Sequence, residues 1–220
     1  MRTRLLLPLL LLLPGVCLAQ LPGDSVFGRA LGLQPDQQQG KAEYLARCSQ
    51  CHGEQAWGTY GGEYPQLAGQ HARVIVKQLA DIHHGRRSIP VMQDVVAGLA
   101  DGGPQLISSI AGYLSALPMN PYPEWGESED PSGAAPIYQQ KCAHCHGDQG
   151  QGDAAQFYPL LHGQHYEYLL RELRWLRDGT RGNAHPEMVD LLADMEEQEL
   201  LLLADYLSRL LPPEDRLGEY

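Results

Sequence analysis

The sequence has 220 residues, of which 43% are hydrophobic and 20% charged, and its formal net charge at pH 7 is −11. This composition is ordinary for a folded protein, and the length allows one large domain or two small ones. Such an acidic surface would repel nucleic acid and anionic lipid, so it either favours a partner with a basic docking face or only keeps the protein in solution.

The N-terminal segment has the pattern of a secretory signal peptide. Arg2 and Arg4 precede an almost unbroken apolar run at residues 5–13, and a small-residue cleavage site ends at Ala19. A retained membrane anchor is the alternative, but the run is shorter than the roughly 20 apolar residues that span a bilayer, and two prolines interrupt it. We therefore expect cleavage after Ala19, export to the periplasm and a charge of −13, because both arginines would be removed.

Apolar residues recur at helical spacing along the rest of the chain, and no segment has the alternation that is typical of a strand. We predict helices at residues 36–47, 71–84 and 105–117, followed by a linker at 117–136 that is rich in proline, acidic and small residues. Three more helices are predicted at residues 136–142, 165–178 and 197–211. The predicted fold class is therefore all-α.

The two halves of the chain are copies of one another. An offset of 94 residues (142 − 48) aligns CSQCH at 48–52 with CAHCH at 142–146, and YPQLAGQH at 64–71 with YPLLHGQH at 158–165. We place a first domain at residues 30–118 and a second at 134–213, joined by residues 119–133. Each domain is too small to bury a large core of its own, so a large apolar cofactor would supply what is missing.

The cysteines lie in two pairs once Cys17 has left with the signal peptide. An even number in an exported protein would normally suggest disulfides, but each pair is followed directly by a histidine. A bare Cys-x-x-Cys could be a redox disulfide or half of a zinc site, yet zinc needs four ligands and neither half has a second cysteine pair. Cys-x-x-Cys-His attaches a c-type haem, because the thiols form thioether bonds and the histidine ligates the iron. The predicted attachment residues for two haems are Cys48, Cys51, His52, Cys142, Cys145 and His146.

The sixth iron ligand decides whether a haem passes electrons or binds a small ligand at an open site. Met92 lies 40 residues after His52 and Met188 lies 42 after His146, each behind a helix, a Gly/Arg turn and a proline. A methionine is usually core filler, but this matched placement predicts Met92 and Met188 as ligands. His/Met ligation raises the reduction potential relative to bis-histidine ligation, because thioether sulfur favours ferrous iron. The competing candidates are Met119, Met195, His185 and the pair His83 and His84.

These motifs, each present twice, resemble those of the dihaem cytochrome c4 family over nearly the whole chain that would remain after cleavage. The shared patterns are CxxCHG, YPxLxGQH, a helix ending in Gly-x-Arg, and the later methionine. The resemblance implies two tandem class I cytochrome c domains related by a pseudo-twofold axis and carrying two covalently bound haem c groups. It also implies a periplasmic monomer, free or loosely membrane-associated, that carries electrons from the respiratory chain towards a terminal oxidase.

By the same resemblance, Pro65 and Pro159 turn a backbone carbonyl towards the Nδ1–H of His52 and His146, which fixes each ring. His71 and His165 stand at the start of a helix in each half. They either cap that helix or meet a haem propionate, and we assign them no ligand role.

Two other functions are compatible with a duplicated chain that carries c-type haems. Dihaem peroxidases need an openable haem and a longer chain, and we find no acid or base group for that chemistry, so we predict that the protein is not an enzyme. The electron-accepting subunit of a dehydrogenase, for example a sulfide-oxidising flavoprotein, has a similar double-domain fold. An obligate subunit should expose a large apolar interface, whereas a shuttle needs a small polar one.

Overall fold

The computed structural model describes residues 25–219, and the predicted signal peptide lies outside this range. Within it, the regular elements are helices and short 3-10 turns, accompanied by two isolated bridges, Met119 with Leu217 and Asp153 with Tyr158. The prediction of an all-α fold is therefore confirmed. None of the helices in the described part is long and apolar enough to cross a membrane.

The helices repeat in the same order in both halves of the chain. In the first half they are α1 Val26–Ala30, α2 Gln37–Arg47, α3 Ser49–His52, α4 Ala72–His83, α5 Gln93–Asp101 and α6 Pro104–Ala116. In the second half they are α7 Ala135–Lys141, α8 Ala143–His146, α9 Tyr166–Arg177, α10 Pro186–Ala193 and α11 Glu197–Ser208. Three 3-10 turns complete the list, at Pro90–Met92, Pro131–Ala134 and Glu214–Arg216.

All six predicted helices are present with ends shifted by a few residues at most. Their starts have clear local causes: the Asp36 carboxylate accepts hydrogen bonds from the first turn of α2, and Glu196 and Glu199 form a reciprocal capping box at α11. Helices α1, α5 and α10 and the one-turn helices α3 and α8 were not predicted, because at nine residues or fewer each is too short for a clear helical period. The seven-residue α7 was predicted because it leads into the second motif as α2 leads into the first.

Each half has its own apolar core. In the first half α2 crosses α6, and Tyr44, Leu99 and Ile107 are buried with them. In the second half α11 packs on α9, and Tyr138 and Leu203 are buried there. Phe27, which precedes the expected start of the first domain at residue 30, also belongs to the first core.

The α2–α6 crossing depends on the missing side chain of Gly40. A Cβ atom at this position would overlap the backbone carbonyl of Ser109 and crowd the Cβ of Tyr113. The corresponding position of the second half, Ala134, is fully buried, so that half accommodates a methyl group where the first cannot.

A buried charge cluster joins the two halves. Glu172 of α9 accepts from Arg87 at 2.9 Å and lies 2.8 Å from Arg181, so one carboxylate serves two guanidinium groups. Arg87 and Arg181 are related by the offset of 94, and both side chains are largely buried. Burial disfavours the charged form of Arg87, but Tyr168 and Glu172 outweigh it and raise the pKa of this guanidinium.

Replacing Gly40 should test the helix crossing. We expect Gly40→Ala to lower the free energy of unfolding by about 1–3 kcal/mol, because the new methyl group has no space against α6. Gly98→Ala on α5 is the matched control, since its Cβ would meet nothing closer than 3.7 Å. That control should be neutral or stabilising by up to about 1 kcal/mol in denaturant unfolding. Equal effects of the two substitutions would contradict the close crossing.

Replacing Glu172 should test the charge cluster. We expect Glu172→Ala to lower the free energy of unfolding by about 3–5 kcal/mol, because two buried guanidinium groups lose their shared counter-charge. Glu167→Ala, at an exposed position of the same helix, should change it by less than about 1 kcal/mol. A small loss in Glu172→Ala would mean that water or another acid replaces the carboxylate.

Candidate functional site

The two Cys-x-x-Cys-His motifs form matching one-turn helices. Helices α2 and α7 end at Arg47 and Lys141, Cys48 and Cys142 cap them, and α3 and α8 follow at once, so that each pair of cysteines and its histidine share one tight turn. The four motif cysteines form no disulfide with one another. Burial raises the pKa of both Cys48 and Cys142 to about 11, whereas a redox-active pair normally has a lowered thiol pKa. The raised pKa of Cys48 and Cys142 thus argues against a redox-active pair, and the thiols are placed for thioether bonds.

The histidine of each motif is buried and held at one ring nitrogen. Nδ1 of His52 lies 3.1 Å from the carbonyl oxygen of Pro65, and Nδ1 of His146 lies 3.0 Å from that of Pro159. A carbonyl can only accept, so Nδ1 carries the proton. Burial lowers the pKa of both imidazoles and the carbonyl opposes it in part. Each ring is thus a neutral imidazole with the Nε2 lone pair available to a metal.

A glycine packs against the peptide group that follows each of these prolines. Gly58 has φ +75° and Gly152 has φ +67°, in the left-handed region. A Cβ at Gly58 would overlap the Tyr64 carbonyl and crowd the Pro65 peptide, and Gly152 stands in the same relation to Tyr158 and Pro159. The glycines allow the loop to close directly over the histidine's acceptor.

A tyrosine hydroxyl holds the other end of each attachment turn. Tyr44 donates to the Gly53 carbonyl and Tyr138 to the Gly147 carbonyl, both at 2.5 Å. These carbonyls follow the motif histidines directly, so the turn is anchored to helices α2 and α7. Tyr44 and Tyr138 are related by the offset of 94, but only the structure identifies their acceptors.

The methionines differ in their surroundings. Met92 ends the 3-10 turn Pro90–Met92 and Met188 lies in the first turn of α10, and each is partly buried against the core of its own half. Met195 is buried in the second core, and Met119 is buried between Gly69 and Gly163 where the halves meet. Met92 and Met188 are thus half-buried at the edge of each core, one at the end of a 3-10 turn and the other within α10, whereas Met119 and Met195 are fully buried.

The histidines outside the motifs have other contacts. The rings of His83 and His84 lie 5.3 and 6.0 Å from the ring of Phe27, at the exposed end of α4. His185 is exposed beside Glu187, with 3.9 Å between Nδ1 and the carboxylate. His144, between the two cysteines of the second motif, is exposed.

His71 and His165 link the two halves. Their side chains make no capping hydrogen bond to the helices that they precede. Nε2 of His71 lies 2.8 Å from the carbonyl oxygen of Gln151, and Nε2 of His165 lies 2.7 Å from that of Trp57. Trp57 and Gln151 are themselves related by the offset of 94, so each histidine donates to the attachment loop of the opposite half.

Gln70 and Gln164, which precede these histidines, also bond to the opposite half. Each side chain makes two hydrogen bonds to one backbone position there. The repeated GQH triplet was visible in the sequence, but its role was not, because the aligned sequence does not reveal which half a side chain contacts.

Paired thiols beside a buried imidazole, arranged twice with the same supporting hydrogen bonds, define a dihaem c-type cytochrome. The protein-family model "Cytochrome c" matches residues 37–105 and 133–210 of this chain. A thiosulfate dehydrogenase electron acceptor of Stutzerimonas stutzeri is 33% identical over 173 residues, covering 74% of this chain and 78% of that protein. Cytochrome c4 of Pseudomonas aeruginosa is 30% identical over 215 residues, covering 94% and 98%.

Solved structures agree with this. Cytochrome c4 from Pseudomonas stutzeri has a TM-score of 0.69 at 24% identity, covering 80% of this chain and all of that one. The Acidithiobacillus ferrooxidans cytochrome c4 has a TM-score of 0.63 at 26% identity, covering 75% and 99%. The chain belongs to the cytochrome c family, as a cytochrome c4-like electron-transfer protein with two tandem domains and two covalently bound haem c groups. The predictions of fold, family and cofactor are thereby confirmed.

The His165 contacts predict a pH dependence of stability. Burial lowers the pKa of His165, while the Trp57 carbonyl and Glu124 oppose the shift in part. Its Nδ1 accepts from the Glu124 amide at 3.2 Å and Nε2 donates to Trp57, so a second proton would remove an acceptor. Because the folded pKa lies below the unfolded one, this contribution is complete above about pH 6.5 and is lost as the pH falls.

We therefore expect the free energy of unfolding to fall between pH 7 and pH 5, by at most about 1.4 kcal/mol per pH unit from this group. His165→Gln should show a shallower dependence in denaturant titrations at several pH values. His144→Gln, an exposed change, is the control and should leave the slope unchanged. If the pH dependence of stability in His165→Gln equals that of the parent protein, the assignment of a neutral His165 ring with hydrogen bonds at both nitrogens is wrong.

Proposed function

We propose that this dihaem protein is a periplasmic carrier of single electrons whose two irons are both ligated by histidine and methionine. The ligand pairs are His52 with Met92 and His146 with Met188, and the thioether bonds come from Cys48 and Cys51 and from Cys142 and Cys145. The observation that carries the proposal is the exact duplication of a neutral, buried imidazole held at Nδ1 by a proline carbonyl.

Haem iron exchanges one electron between its ferrous and ferric forms. The chain's own contribution is to fix the ligands. Pro65 and Pro159 keep the protons on Nδ1 and orient the rings, and the packing around the histidines excludes water. Thioether sulfur favours the ferrous form, which suits a carrier at the oxidising end of an electron-transport chain.

The proposal assigns no catalytic residue, since transfer between bound haems needs no acid, base or nucleophile. It places the first domain at residues 30–118, the linker at 119–133 and the second domain at 134–213, in a monomer released by cleavage after Ala19. An expected charge of −13 after cleavage favours redox partners with basic docking faces. The proposed route is from a respiratory donor to a terminal oxidase.

A second candidate is the electron acceptor of a periplasmic dehydrogenase. It is favoured by the relative that is named as a thiosulfate dehydrogenase electron acceptor, which is 33% identical to this chain. The two candidates differ in which partner reacts quickly. We would mix the purified protein with thiosulfate dehydrogenase plus thiosulfate, and separately, after reduction, with membranes that contain a terminal oxidase. Fast oxidation by the membranes with slow reduction by the dehydrogenase supports the respiratory carrier, and the reverse supports the acceptor.

The ligand pairs can be tested one methionine at a time. Oxidised protein should contain two haems per chain and show two iron–sulfur charge-transfer signals in its optical and magnetic circular dichroism spectra. We expect Met92→Leu and Met188→Leu each to lose one signal, because leucine fills a similar volume without a sulfur ligand.

Met195→Leu is the matched control, since this methionine is buried in the second core and is not a proposed ligand. Both signals should survive in that variant, with stability changed by less than about 1.5 kcal/mol. Retention of both signals in Met188→Leu would refute the assignment of that ligand. A high-spin haem in the parent protein would refute ligation on both sides of that iron.

A further inference from the structure

We propose that Gln164 and Gln70 are positioning residues that act across the interface. Each holds the peptide group that fixes the iron-ligating histidine of the opposite half, and so tunes the potential of the opposite haem. This inference rests on the proposed ligation of iron by His52 and His146, and it goes beyond it by assigning a role to residues that belong to the other domain.

One peptide group carries the contact in the first half. Its carbonyl belongs to Pro65 and lies 3.1 Å from Nδ1 of His52, while its N–H belongs to Gln66 and donates to Oε1 of Gln164 at 3.0 Å. The amide of Gln164 also donates to the Gln66 carbonyl at 3.0 Å. Gln66 and Gln164 are both buried, so these bonds are shielded from water. The histidine and the glutamine therefore hold the same peptide at its two ends.

The second half repeats the arrangement with the roles exchanged. The Pro159 carbonyl lies 3.0 Å from Nδ1 of His146, and the N–H of the same peptide, on Leu160, donates to Oε1 of Gln70 at 3.0 Å. Gln70 donates back to the Leu160 carbonyl at 2.9 Å. Each domain thus supplies the glutamine for its neighbour's histidine.

Hydrogen bonds in such a chain polarise one another. When an amide N–H donates, its carbonyl becomes a stronger acceptor, and a stronger acceptor at Nδ1 increases the electron density of the imidazole ring. A more electron-rich ligand stabilises ferric iron relative to ferrous iron and lowers the potential. Gln164 should therefore lower the potential of the first haem, and Gln70 that of the second.

The same contacts restrict movement of the peptide. Gly58 packs against the Pro65 peptide, so the group is confined by the glycine, the histidine and Gln164 together. Without the glutamine the peptide could rotate away and lengthen the bond to Nδ1. The loss of polarisation and the longer hydrogen bond would both raise the reduction potential of the haem.

The two arrangements differ in one supporting residue, which provides a control. The Gln66 side chain donates to the Gly163 carbonyl and accepts from the Asn120 amide, both at 2.7 Å. Leu160 stands at the corresponding position of the second half and can make neither bond. Gln66→Leu would weaken the interface while leaving the backbone N–H of residue 66 bonded to Gln164.

The experiment compares Gln164→Leu, Gln70→Leu and Gln66→Leu in the complete dihaem protein. The potential of each haem would be followed by resolved NMR signals during a redox titration, together with exchange of the His52 and His146 Nδ1 protons in deuterated water. We expect Gln164→Leu to raise the potential of the first haem and to speed exchange at His52 by about five- to tenfold, with His146 unchanged. Gln70→Leu should do the reverse, and Gln66→Leu should alter neither histidine.

An effect on the haem and histidine of the opposite half, and not of the mutated half, distinguishes positioning across the interface from a general loosening of the structure. A shift confined to the haem of the mutated half, equal shifts at both haems, or no shift in either variant would overturn the proposal. If Gln164→Leu does not mature with haem, Gln70→Leu carries the test because Gln70 is only half-buried. The starting spectra show independently whether both irons have histidine and methionine ligands, so failure of the proposed function is seen before any variant is compared.

Discussion

In each half, the Nδ1–H of a buried histidine donates to the carbonyl of a proline 13 residues further along the chain. Several local features of each half position the two partners of this hydrogen bond. The one-turn helix presents the ring, and the tyrosine hydroxyl of α2 or α7 anchors the residue after it. The left-handed glycine lets the loop approach closely enough for the carbonyl to reach Nδ1. In two small domains with modest cores, many of the local contacts thus support the proposed iron ligand.

The duplication also explains how the two halves pack against each other. Contacts at the interface recur under the same offset as the sequence: His71 and His165, Gln70 and Gln164, and Arg87 and Arg181. In a pseudo-twofold arrangement each contact occurs twice. A residue of the first half that contacts the second half has a counterpart in the second half that contacts the first. Beside the buried Met119, the interface contains many directional hydrogen bonds, which fix the relative placement of the halves more closely than apolar contact alone would.

Much of the fold and the attachment chemistry could be predicted from the sequence, because both depend on local patterns. Helical spacing located the five longest helices, the short α7 was predicted from its place before the second motif, and Cys-x-x-Cys-His with the repeat pointed to two haems. The helices that carry or follow Met92 and Met188 were missed, since α5 and α10 are short. Contacts between halves could not be predicted either. His71 looked like a helix cap from its position, and only the three-dimensional arrangement shows that its ring reaches Gln151.

The two halves are not equivalent, although the ligands proposed for their irons are the same. Position 66 is glutamine where position 160 is leucine, and position 78 is glutamine where position 172 is glutamate. Gln78 accepts from Arg87 at 3.1 Å and from Arg181 at 3.2 Å, so the charge cluster has two cations and one carboxylate around its pseudo-axis. A supporting hydrogen bond whose strength differs between the ferric and ferrous forms by about 1 kcal/mol would bias a one-electron equilibrium between two sites roughly fivefold. Divergence at a few supporting positions is therefore sufficient to give an electron a preferred haem, while the attachment motifs remain the same in both halves.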